Sequence, residues 1–115
     1  MTRRKQPMGV KILLPVQERV RNRELVARIL EALRANPATR ASLEAGGAAT
    51  PAAGYVTLAD LSGGPPPAGV PYLDEDIGVL SVPAPPHDSV RAILSALGEL
   101  AAQVDVEPED IMRSQ

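Results

Sequence analysis

A small α+β domain is the fold class that the 115-residue sequence predicts, and three observations predict it. Two segments place apolar residues at helical spacing, NRELVARILEALRANP (22–37) and DSVRAILSALGELAAQV (88–104). Three short runs, GVKILLPV (9–16), YVTLADL (55–61) and DIGVLSV (76–82), have the length and residue types of strands. The chain also has no Phe, Trp or Cys, and only Tyr55 and Tyr72 are aromatic, so its core must be aliphatic and closely packed. The expected arrangement is a helical hairpin plus a C-terminal amphipathic helix around two or three short strands. The alternative is an all-α chain with a long Pro/Gly-rich irregular segment laid over it.

Residues 1–8 read as a basic flexible tail, and 9–115 as one small domain. The run 9–16, bounded by Gly9 and Pro15, reads as a strand or an extended arm. Asn22 is the expected N-cap of the first helix, with Leu25, Val26, Ile29, Leu30 and Leu33 as its apolar stripe. Asn36 before Pro37 ends that helix and caps a second, shorter one that stops at Gly46 and Gly47. Residues 47–86 hold eight of the twelve prolines and six of the nine glycines. Within them 63–71 reads as a stiff connector, 72–76 as an acidic exposed turn and 77–82 as a short buried strand. Asp88 is the expected cap of the last helix, whose stripe is Val90, Ile93, Leu94, Leu97, Ala101 and Val104. Gly98 interrupts that helix, and Pro108 with Glu109 and Asp110 reads as a further helical turn.

The net charge of −2 conceals an asymmetry. Residues 1–40 carry ten basic and three acidic side chains, whereas 41–115 carry two basic and eleven acidic ones. Such a split points either to a polyanion-binding end or to halves that neutralise each other. The basic start followed by an apolar run is not read as a signal peptide, because Lys11 interrupts the run and Pro15 closes it. No membrane span is expected, and a cytoplasmic location is the default.

Candidate chemistry is sparse. His87 is the chain's only histidine, placed where a helix begins, with no paired base and orienting acid in view. Gly63 and Gly64 are followed by prolines, which lack the N–H groups that an anion cradle needs. Asp74, Glu75 and Asp76 have no calcium-loop spacing and read as a solvated acidic loop facing a basic surface. No cofactor and no metal site is expected. The proline pattern at 83–86 lacks a nearby basic anchor and reads as architecture.

The expectation is therefore a non-enzymatic accessory or protein–protein interaction protein, in the Ala/Arg/Pro/Gly-rich style of a GC-rich bacterial genome. It would act through Val90, Ile93, Leu94, Leu97, Ala101 and Val104 on the last helix and through its charge-split surface, with another protein or with itself as a homo-oligomer. One alternative is anion or nucleic-acid binding by Arg3, Arg4, Lys5, Arg19, Arg21 and Arg23, against which stands the lack of aromatic stacking residues. Another is a small regulatory subunit of a larger enzyme complex.

Overall fold

The computed structural model describes residues 9–15, 19–44, 47, 50–65, 67, 69–84 and 89–109. The first strand, β1 (Gly9–Leu13), alternates as a half-covered strand should. Val10 and Ile12 are fully buried, with Lys11 and Leu13 half-buried between and beyond them. Helix α1 (Arg19–Ala35) begins before Asn22, which therefore lies inside the helix and does not cap it. No glycine or proline separates Pro15 from Asn22, so nothing in the sequence stops the helix from extending back. Its stripe of Leu25, Val26, Ile29, Leu30 and Leu33 is buried in the main apolar cluster.

The turn into α2 (Pro37–Glu44) follows from Asn36. The Asn36 side-chain oxygen accepts from the Ala38 N–H at 2.8 Å, and its carbonyl accepts from the Arg40 N–H at 2.8 Å. Pro37 has no N–H to give the Leu33 carbonyl four residues back. Thr39, fully buried, replaces it: its hydroxyl donates to that carbonyl at 2.6 Å. Thr50 is the opposite case, its hydroxyl oxygen buried without a hydrogen-bond partner. Two threonine-to-valine substitutions should thus differ in sign. Thr39→Val is expected to cost about 1–3 kcal/mol, whereas Thr50→Val should be neutral or stabilise by up to about 1 kcal/mol. Thermal melts of the two variants test this, and equal shifts would contradict the hydrogen-bond assignment.

Four further strands complete the sheet: β2 (Val56–Thr57), β3 (Tyr72–Asp74), β4 (Val79–Pro83) and β5 (Asp105–Glu109). Their order is β2-β3-β4-β1-β5, with β2 parallel to β3 and all other neighbours antiparallel. Because β4 and β5 both run antiparallel to β1, they are parallel to each other and flank it. Helix α3 (Ser89–Leu97) connects them, making a split βαβ unit. The three helices contact one another and cover one sheet face, where Val10, Ile12, Leu73, Leu80 and Val82 meet Val26, Ile29, Leu33, Ile93 and Leu97. The described residues form a small α+β domain of three helices and a five-stranded mixed sheet.

Several elements depart from the sequence expectation. The strand expected over 55–61 is only Val56–Thr57, because a 3-10 turn (Leu58–Asp60) follows at once. The Asp60 carboxylate accepts both the Thr57 N–H at 2.9 Å and its hydroxyl at 3.1 Å, which closes the turn. The acidic turn of 72–76 instead begins as strand β3, and the turn proper is a hairpin loop ending at Gly78 (φ +71°). The last helix stops at Leu97, since Gly98 takes φ +58°, and continues as a 3-10 segment (Gly98–Gln103). A β-carbon at Gly98 would meet nothing within 4 Å, so backbone conformation and not close packing explains the glycine. Residues 105–109 form β5 rather than a helical turn. Pro108 fits there because β5 is an edge strand, where a missing N–H costs no ladder bond on the open side. The tail 1–8, Asp88 and His87 lie outside the described residues.

Candidate functional site: the sheet face opposite the helices

One face of the sheet is roofed by helices, and the alternation of β-strands puts every second side chain on the other. Register fixes which residues share a row there. Tyr72 pairs with Ser81, Ser81 with Lys11, and Lys11 with Glu107. In the next row Asp74 pairs with Val79, Val79 with Leu13, and Leu13 with Asp105. Pro83 opposite Gly9 begins a third. The strand centres are half-buried, while Asp105 and Glu107 on the edge are exposed. Leu13 and Val79 thus form an aliphatic pair between Asp74 and Asp105, and the row of Ser81 and Lys11, the one cation described on that face, separates the pair from Pro83.

The acidic triplet is organised by its own hydrogen bonds. The Asp74 carboxylate accepts from the Asp76 N–H at 3.1 Å, and the Asp74 carbonyl accepts from the Gly78 N–H at 2.9 Å, which shapes the hairpin loop. Glu75 reaches the other layer and pairs with Arg23 of α1 at 2.5 Å. That bond raises the Arg23 pKa further, without consequence for a group already protonated at any ordinary pH. Burial, and after it the charges of Asp74 and Asp76, lifts the Tyr72 phenol above its ordinary value, so the face presents a neutral hydroxyl at neutral pH. Ile77, in the same loop, is 62% exposed.

The residues expected from sequence to bind partners or anions are placed elsewhere. Ile93, Leu97 and Val104 are buried in the core, and Val90 and Ala101 pack against it. Leu94 alone of that stripe is exposed, at 39%. The apolar face of α3 is therefore occupied by its own domain. Of the basic set, Arg23 is held by Glu75, and Arg19 and Arg21 lie in α1 with side chains outside those described. Arg3, Arg4 and Lys5 lie outside the described residues altogether. The basic and acidic halves meet in at least this one ion pair. No protein-family model, curated protein or solved structure matches the chain.

The signal for the open face was present in the alternation of Gly9, Lys11 and Leu13 and of Val79, Ser81 and Pro83. It could be read only once β3 and β5 were known to flank those strands. A concavity of about 390 Å³ lies among Leu30, Leu43, Thr50, Pro51 and Pro71, with Arg34 and Glu44 contributing opposite charges. Part of the Arg34 guanidinium lies over Gly54 (φ +93°), 3.1 Å from where a β-carbon would stand. Among the described residues no three acidic or histidine side chains are placed to share a metal ion, and no helix is long and apolar enough to cross a membrane.

Proposed function

We propose that the protein is a non-enzymatic interaction module that binds another protein through the open face of its sheet. The observation that supports this reading is the pattern of that face. A sheet face made only for water carries polar side chains along each strand. Here the directly paired Leu13 and Val79 place two aliphatic side chains on the two central strands, beside Lys11 and Ser81 and between Asp74 and Asp105. The helix layer, by contrast, satisfies its apolar stripes internally. An accessory protein and a regulatory subunit of a larger enzyme would both use such a face. The pairing of Arg23 with Glu75 weighs against the competing reading, in which the basic third binds an anion.

Site-specific photo-cross-linking tests the proposal. A photoreactive amino acid at Ser81, central on the open face, is expected to give a higher-mass adduct in the native cells. The same residue at exposed Glu31 on α1 is the control and should give none. No adduct at Ser81, or equal adducts at both positions, would overturn the reading. An adduct of twice the chain's own mass would assign the face to self-association.

A further inference from the structure

We infer that the concavity lined by α1, α2 and residues 50–54 is a binding site for a small aliphatic molecule bearing one carboxylate, independent of the sheet face proposed above. Three observations carry the inference. The first is shape and lining. The space of about 390 Å³ falls within the range of small-molecule sites, and the buried Leu30, Leu43 and Pro71 give it an apolar base. Backbone bonds hold one of its sides: the Thr50 N–H donates to the Gly47 carbonyl at 3.1 Å, and the Gly54 N–H to the Pro51 carbonyl at 2.9 Å. The second is an unspent cation. Arg34 lines the space from its exposed end, with part of its guanidinium over Gly54. Among the described residues it has no ion-pair or side-chain hydrogen-bond partner, Glu44 of the same lining included. A guanidinium at the mouth of an apolar space matches the two oxygens of a carboxylate whose hydrocarbon part lies within. The third is Thr50, whose hydroxyl oxygen is buried without a partner, although buried polar groups are ordinarily paired. A carboxylate drawn in by Arg34 supplies the acceptor that this hydroxyl lacks. Glu44 limits the charge: a second carboxylate on the ligand would meet it as a like charge, so the site takes monocarboxylates.

The test is an NMR titration of the isotope-labelled full chain with 4-methylpentanoate, which is ionised at neutral pH. The amide signals of Gly47, Thr50 and Gly54 are expected to move saturably, with a dissociation constant of about 1 mM or tighter. The uncharged 4-methylpentanamide, of the same shape, should bind at least about tenfold more weakly. R34Q should weaken the carboxylate by about tenfold, and because Arg34 is exposed its thermal melt should stay close to that of the parent. T50V should weaken binding by about threefold or more while its melt holds or rises, a pairing that a purely structural threonine would not give. E44Q should leave 4-methylpentanoate bound and admit adipate, which the parent rejects. Leucine distinguishes two sources of the same chemistry, since it sets an ammonium beside the carboxylate. Tighter binding of leucine, lost in E44Q, assigns the site to a free amino acid, and weaker binding assigns it to a simple aliphatic acid. Equal binding of the amide, an unaffected R34Q, or no saturable shift at these three amides would overturn the inference, whatever the Ser81 adduct shows.

Discussion

Leu97→Asp is expected to abolish cooperative folding, while Leu94→Asp, one turn earlier on the same helix, should melt close to the parent protein. Leu97 is 4% exposed and belongs to the main cluster, whereas Leu94 is 39% exposed. Replacing a buried leucine removes its packing, a loss of about 2–5 kcal/mol for the truncation alone. The aspartate then adds a carboxylate to an aliphatic core in which, among the described residues, Thr39 and Ser89 are the buried polar side chains. A domain of this size holds about 5–15 kcal/mol of total stability, so the two losses together consume most or all of it. Circular dichroism against temperature is the measurement. A folded Leu97→Asp protein with an unchanged melt would mean that α3 is not docked as described.

The pair of variants also decides what α3 is for. From sequence, its wide apolar surface and few charges pointed outward, to a partner. In the structure the same surface faces α1, α2, β1 and β5, because α3 is the crossover of a split βαβ unit and lies across the sheet. A crossover helix touches neighbours on two sides, and this accounts for a stripe wider than one line of residues. If Leu94→Asp keeps the fold and the Ser81 adduct, α3 contributes structure and the sheet contributes binding.

α1 and α2 were legible because their signals are local: a 3.6-residue stripe, and Asn36 followed by Pro37. β1 was legible as an apolar run, though not as the strand with neighbours on both sides. The missed strands fail for identifiable reasons. β3 has three residues within a Pro/Gly-rich stretch, too few for a period of two to show. β5 alternates Val104, Asp105, Val106 and Glu107, which is a strand signal, but Pro108 and the following acids imitate a helix start more strongly. The proposed face, made of alternate residues from four strands, depends on register, and register is set by long-range pairing. The acidic triplet was half legible. Its charge pointed to a basic surface, and Glu75 does pair with Arg23, but the role of Asp74 in shaping the hairpin loop is visible only in the structure.

β1 allows fold and function to be separated on neighbouring residues. Ile12→Ala is expected to cost about 2–5 kcal/mol, toward the upper end. Ile12 has no exposed surface, lies between Leu80 and Val106 in the ladder, and belongs to the cluster shared with the helix layer. With strands on both sides and helices above, the walls of the new cavity have little room to collapse, and incomplete collapse sets the larger penalties. At roughly 4–8 °C per kcal/mol for a domain of this size, the melt should fall by about 10 °C or more. Leu13, the next residue, points to the opposite face, where it is half-buried and outside the cluster. Leu13→Ala should therefore lower the melt only slightly while reducing the Ser81 adduct, and Ile12→Ala should do the reverse at temperatures well below its melt. Equal losses of stability from the two substitutions would mean that the sheet is covered on both faces. The open face would then be core, and the binding proposal would lose the observation it stands on.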